Sequence, residues 1–390
     1  MTKNNPILFL CVFLFFSNSI ITLVISYLPI YFEDKGFTGS EIGFLLAIGP
    51  FIGLFSQPLW GYYSDKYKTV KKTLILCLIG LLISSIFLFN MDAFTSLVII
   101  FAFFFLFMSA LGGLGDNLAK KTSMNNHIPF GKIRMWGSLG FACTSLITGK
   151  ILSIIGIQYL YFPFFIIVAM TIMIGFLLND ASVSDKPIAF KDAAKLAVNK
   201  KLIFFLATVM FITTTHRTND NFIGMYVTDL GGDEGLIGWL WFIGVFSEAL
   251  VFAFSAYWFR RFQPLTFVIF AGFIYSFRWL FMSIADQPVE IMFLQLTHGI
   301  CFAVLYVSCL EFLSEIVPDE LQSTGHLLFL SISFGLSGII GALFGGFTLD
   351  NYGGSILYEI MGYMALTGTI GLLVFRLFYR LNQHKHAYNS

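Results

Sequence analysis

The chain has 390 residues, 57% of them hydrophobic and 12% charged, with a formal net charge of +1 at pH 7. With a mean hydropathy of +0.82, that composition excludes an ordinary water-soluble globular protein, whose surface needs far more charge. Apolar runs of roughly 20 residues recur, each long enough to cross a hydrocarbon core. They lack the short alternating pattern of barrel strands, so the chain reads as an all-α integral membrane protein.

In chain order, twelve spans are expected: 7–31, 41–63, 73–91, 95–118, 132–156, 158–178, 202–227, 236–258, 265–284, 289–314, 322–348 and 354–378. Only Lys3 precedes the first run, which continues to about Ile30 and is too long for the apolar region of a cleaved signal peptide. A polar stretch with Pro187 and several lysines separates two sets of six. The expected organisation is an N-terminal six-helix bundle over 1–180, a cytoplasmic linker over 181–201 and a C-terminal six-helix bundle over 202–390. Placing the N-terminus inside puts Lys66, Lys68, Lys71, Lys72, Lys120, Lys121, Arg260, Arg261 and Arg376 in the cytoplasm. Only Lys35 and Lys150 then lie outside, so the bias of basic residues sets both termini in the cytoplasm.

The five cysteines (Cys11, Cys77, Cys143, Cys301, Cys309) all fall inside apolar runs. Their odd number and lack of ligand spacing mark them as packing residues. No metal or other cofactor is expected. Nor does any nucleophile elbow or phosphate loop point to an enzyme.

The halves repeat. Ile42-Gly43 begins the second span, and Ile237-Gly238 begins the eighth 195 residues later; Gly149-x6-Gly156 resembles Gly346-x6-Gly353. Six-span repeats are the mark of a two-bundle secondary transporter with a site near the midplane. Between spans two and three stands QPLWGYYSDKYKTVKK, 57–72. Its Gly61-x-x-x-Asp65-Lys66 core resembles the cytoplasmic signature of the major facilitator superfamily. In that reading Gly61 permits close helix approach, Asp65 sits against a neighbouring helix N-terminus, and the lysines hold the loop inside.

Ionisable groups at bilayer depth are functional candidates because each is costly unless paired or wetted. They are Asp116, Arg134, His216, Arg217, Asp220, Glu248, Arg278 and His298. In an antiparallel hairpin, residues equidistant from the turn share a depth. Asp116 and Arg134 are centred on MNNHIP, 124–129, a turn composition. They therefore face each other roughly 13 Å from the turn, at about 1.5 Å per residue. The same arithmetic sets Glu248 level with Arg278 across Gln263, and Arg278 level with His298 across Pro288. A guanidinium can bind Glu248 in bidentate fashion, and His298 can exchange a proton near neutrality. His216 and Asp220 share a face of the seventh span, in THRTNDNF, 215–222.

These residues look like the lactose permease branch of the superfamily, over nearly the whole chain. SQPLWGYYSDK (56–66) is similar to the end of that branch's second span, and FGKIRMWGSLGF (130–141) resembles its fifth-span segment. LQLTHG (294–299) and RMWGSLG (134–140) look closer to the phenylpropionate and nucleoside permeases. The resemblance implies that Arg134, paired with Asp116, binds substrate hydroxyls, and that Glu248, Arg278 and His298 serve substrate binding and proton coupling. Phe141 stands where the family has a sugar-stacking tryptophan, and Cys301 where the lactose permease has its proton-carrying acid.

The expected function is proton-coupled import of a small polar solute, such as a sugar, nucleoside or aromatic acid, by alternating access across the cell membrane. Asp116, Arg134, Phe141, His216, Asp220, Arg278 and His298 would bind substrate. Glu248, Asp220 and His298 would couple protons, and Gly61, Asp65 and Lys66 would gate. The expected partners are substrate, protons and lipid, with no nucleic acid, and the protein is expected to act as a monomer. The competing expectation is a drug/proton antiporter of the same fold. It is disfavoured because GSLGFACTSLITG, 137–149, lacks the proline of the antiporter fifth-span motif.

Overall fold

The computed structural model describes residues 6–180, 199–254, 263–318 and 321–388, and every regular element in them is helical. The first half holds α1 (Pro6–Ser26), α2 (Leu28–Asp34), α3 (Gly39–Lys66), α4 (Val70–Asn90), α5 (Phe94–Asn126), α6 (Phe130–Ile155) and α7 (Tyr161–Leu177). Then follow α8 (Lys200–Asp229), α9 (Glu234–Ala253), α10 (Pro264–Ser283), α11 (Pro288–Leu294) and α12 (His298–Ile316). The chain ends with α13 (Gln322–Leu330), a π-helical turn (Ser331–Leu336) and α14 (Ser337–Tyr388). Most of the 181–201 linker, the end of the eighth span and the Arg260-Arg261 pair lie outside the described residues.

Among the described residues, ten helical stretches are long and apolar enough to cross a membrane. One of them, Thr324–Phe378, contains a break at Gly353, where φ is 80° and ψ is 171°. α8 is long enough at 30 residues but is not among the ten. Its middle carries THRTNDN, 215–221, in place of an apolar run.

Local chemistry sets the helix ends. Thr38 and Glu41 form a reciprocal capping box at α3. Thr69 accepts the amide of Lys72 at α4, and Asn199 accepts those of Lys201 and Leu202 at α8. Pro264 and Pro288 open α10 and α11 with their φ already helical. Gly156 ends α6 at φ 95° and ψ 151°, close to the conformation of Gly353. The second glycine of each Gly-x6-Gly pair thus makes the same helix break, which ordinary residues seldom adopt.

The chain resolves into two compact units: Met1–Pro187 with Asn221–Phe242, and Ile188–Asp220 with Ile243–Ser390. In the first, α1 and α6 approach until backbones touch. A Cβ at Gly140 would run into the carbonyl of Phe15. Thr144 donates to Ser19 at 2.7 Å, and the Tyr27 hydroxyl donates to the Ser145 carbonyl at 2.6 Å. In the second unit, a Cβ at Gly299 would strike the backbone of Ser247, and one at Gly341 would lie 3.0 Å from the Thr214 carbonyl. Interhelical hydrogen bonds within a membrane contribute only about 0.6 kcal/mol each. Close backbone fit over small residues therefore does most to hold these helices.

The 57–72 segment departs from expectation in two ways. A Cβ at Gly61 would meet nothing within 4 Å, so this glycine does not serve close helix contact. The helix N-terminus beside the segment, that of α4, is occupied by Asp180. Its carboxylate accepts from the Thr69 hydroxyl and from the amides of Val70 (2.9 Å) and Lys71 (3.1 Å). Asp65 lies at the C-terminal end of α3, exposed, where the helix dipole disfavours an acid. Lys66 is also exposed, with its ammonium 5.8 Å from the Tyr67 ring centre.

Candidate functional site

In the first unit, α5 turns into α6 through His127, a left-handed C-cap at φ 53°, followed by Pro129. That hairpin brings Arg134 Nε to 2.8 Å from Asp116 Oδ1. The pair is half open, with side chains 37% and 46% exposed. Gly137, one turn along α6, leaves room beside it. A Cβ there would lie 2.5 Å from Arg134 Nη1 and 2.7 Å from Asn18 Nδ2. Asn18 of α1 therefore adds an amide beside the guanidinium.

Two turns beyond Arg134, Phe141 packs against Trp241, ring centres 5.6 Å apart. The Trp241 indole N–H is buried without a hydrogen-bond partner. The first unit thus offers one guanidinium, one carboxylate, two aromatic faces and an unused N–H.

The second unit holds a denser cluster. Arg278 of α10, 2% exposed, donates from Nη2 to Gln295 Oε1 at 2.7 Å and from Nη1 to His298 Nδ1 at 3.3 Å. The other imidazole nitrogen, Nε2, lies 3.8 Å from Glu248 Oε2. His298 therefore stands between the arginine and the acid, where depth alone pointed to a direct Glu248–Arg278 contact. Because a guanidinium only donates, Nδ1 must accept, and the proton of neutral His298 sits on Nε2, facing Glu248. Gly299 makes this possible. Its bare Cα lets α12 rest on α9, with its amide donating to Ser247 Oγ at 2.9 Å.

His216 of α8 repeats the pattern. Its Nε2 is 3.6 Å from Asp220 Oδ2, one turn along the same helix, and its Nδ1 is 3.0 Å from the Tyr275 hydroxyl. Arg217 Nη1 lies 3.0 Å from the same Asp220 oxygen. The imidazoles are 5.4 Å apart between centres, and Phe302 stacks on His216 at 4.8 Å. Two acid–imidazole pairs and two guanidiniums thus share one apolar enclosure. Cys301 is fully buried behind it.

Asn18, Trp241, Tyr275, Gln295 and Phe302 join these clusters without having been singled out from sequence. Gln295 had a legible signal, being an amide three residues before His298 in an apolar span. Asn18 lies in a short polar SNS stretch of the first span. The aromatic residues are lost among 48 phenylalanines.

The architecture is that of a solved membrane transporter. The crystal structure of the nucleoside transporter NupG superposes with a TM-score of 0.86, covering 95% of this chain and 99% of that one at 16% identity. The chain belongs to the MFS_1 like family, whose model matches residues 7–360. It is a multi-pass transporter of the major facilitator superfamily and not an enzyme. It is similar to a maltose permease of Geobacillus stearothermophilus, 22% identical over 350 residues and 89% of each chain. It is also similar to the "Probable 3-phenylpropionic acid transporter" of Escherichia coli (strain K12), 26% identical over 86% of this chain and 89% of that one.

Proposed function

We propose that the protein spans the cell membrane twelve times, termini cytoplasmic, and imports a small polar organic solute with protons by alternating access. The observation that carries this reading is the Arg278–His298–Glu248 arrangement. A carboxylate beside a neutral imidazole whose other nitrogen faces an arginine has two protonation states to choose between. Either the acid is ionised and neighboured by the N–H, or it is protonated and the imidazole is held by the arginine alone. A solute contacting Arg278 or Gln295 changes that balance, and so links its own binding to a proton. Asp220 with His216 forms a second such pair. Arg134, Asp116 and Phe141 are the solute-binding candidates within the first unit. Within each unit arginines and acids are equal in number (Arg134 with Asp116; Arg217 and Arg278 with Asp220 and Glu248), which favours a neutral or singly charged solute.

Uptake into proteoliposomes with an acidic exterior tests this. Accumulation above the external concentration is expected, abolished by a protonophore. Glu248→Gln, which keeps the shape and loses the proton site, should retain solute exchange and lose uphill uptake. Uphill uptake with unchanged pH dependence in that variant would remove Glu248 from the coupling role.

A further inference from the structure

In the first unit, α1 meets α6 along a polar seam. Ser19 receives a hydrogen bond from Thr144 at 2.7 Å and reaches the Gly140 carbonyl at 3.4 Å, and Thr22 reaches the Phe141 carbonyl at 3.4 Å. Both tie helix to helix, a common use of small polar side chains within a membrane. Asn18, one turn before Thr22, is used differently. Its Nδ2 donates to the carbonyl of Leu14 in its own helix, at 2.9 Å. Asn18 is partly exposed, as are Arg134 and Phe141. α5 closes the same corner, since a Cβ at Gly115, the neighbour of Asp116, would lie 3.4 Å from Leu14 Cδ2.

Asn18 Nδ2 and Arg134 Nη1 converge on one point. The position a Gly137 Cβ would take is within hydrogen-bonding length of both, at 2.7 and 2.5 Å. A single oxygen over Gly137 can therefore reach both nitrogens. Neither nitrogen can accept from the other, because guanidinium and amide nitrogens only donate. Side by side they set hydrogen against hydrogen, and a lone pair between them removes that cost. Nδ2 spends one of its two hydrogens on Leu14 and keeps the second. Arg134 meets Asp116 through Nε, while its Nη1 faces Asn18.

We propose that Asn18 is a solute-binding residue of the first unit. With Arg134 Nη1 it holds one oxygen of the transported solute that offers two lone pairs, whether of a carboxylate, a carbonyl or a hydroxyl. The inference rests on the transporter reading above and adds a specificity determinant to it. A half-open guanidinium alone takes an acceptor from many directions. The amide, oriented by its own bond to Leu14, narrows these to an oxygen placed over Gly137. Being neutral, it tightens the geometry and leaves the charge balance of Arg134 with Asp116 unchanged.

The test is binding to the purified full-length protein in detergent, read by calorimetry, with 3-phenylpropionate, uridine and maltose as probes that carry the three kinds of oxygen. Detergent binding needs no proton gradient, so it fails or succeeds independently of the uptake assay. At least one probe should bind, and which one does identifies the oxygen. Asn18→Ala should weaken that probe about tenfold, the value of one hydrogen bond to the solute, with little change in the melting temperature of the unliganded protein. Asn18→Asp keeps the shape and puts an acceptor where the donor was, so it should lose at least as much. It also supplies the reading should Asn18→Ala fail to fold. Asn90 makes the same bond within its own helix, to the Ile86 carbonyl at 2.8 Å, at the far end of α4. Asn90→Ala should leave affinity unchanged. Binding of none of the three probes, affinity unmoved by both Asn18 variants, or an equal loss in Asn90→Ala overturns the proposal.

Discussion

The Asp116–Arg134 pair and the Arg278–His298–Glu248 set each combine an arginine with a carboxylate, yet they differ in burial and in the number of partners. The first is a single contact, half exposed, at one end of a hairpin. In the second, Arg278 is almost wholly buried, held by an amide and an imidazole, and lies 4.7 Å over the Trp279 ring. An exposed pair is loosely tied to the fold, because water replaces whatever it loses. A buried guanidinium has no such substitute, so binding chemistry and structural integrity fall on the same atoms. Arginine at depth therefore has two possible costs, and only surroundings decide which dominates.

The widest contrast lies between the two arginines. Arg278→Ala removes a cation from a buried network and should cost about 3–5 kcal/mol, seen as a large fall in melting temperature in detergent. Arg134→Ala should cost less than about 1 kcal/mol. Uptake is expected to be lost in both. Equal falls in melting temperature would erase the distinction drawn between the two regions.

Glycine substitutions ask whether the units share a packing principle even though their sites differ. Gly299→Ala and Gly140→Ala each force a Cβ into a neighbouring backbone. Each should destabilise by about 1–3 kcal/mol. Gly299→Ala should in addition separate His298 from Glu248 and shift the pH dependence of uptake, an effect absent from Gly140→Ala. Finding the same pH shift in both variants would show that helix spacing in general, and not the His298–Glu248 contact, sets the profile.

Smaller effects separate the two acids near α4. Asp180→Ala removes a cap and should cost about 1 kcal/mol, measured by thermal unfolding, whereas Asp65→Ala should change stability by less than about 0.5 kcal/mol. Gly61→Ala should give the smallest change, a gain of about 0.5 kcal/mol, since the new methyl meets open space and stiffens a helix interior. A clear loss of stability there would mean that Gly61 makes a close contact in another conformation of the transporter.

Much of the fold could be read from the chain itself. Apolar runs of bilayer length permit little except helices, and turn chemistry at 124–129 locates the α5–α6 hairpin to within a residue or two. From that hairpin, rise per residue alone brings Asp116 to Arg134. Glu248, Arg278 and His298 were legible as a group at one depth, but not the order of their contacts. Depth is a one-dimensional quantity, and which neighbour a side chain meets depends on helix rotation as well. The cap of α4 shows the same limit. A capping site beside a motif is filled by whichever acid the tertiary fold delivers, and here the end of α7 delivers Asp180.

By itself, then, the sequence determined that this chain is a helical membrane protein, because hydropathy and spacing are local and cumulative. It also singled out the few charges that fall inside apolar runs, because their cost makes them conspicuous. Only the tertiary structure decided that His298 stands between Arg278 and Glu248. It also decided that Phe302 stacks on His216. Those outcomes depend on how helices rotate and where small residues let them touch, which no single stretch of sequence encodes.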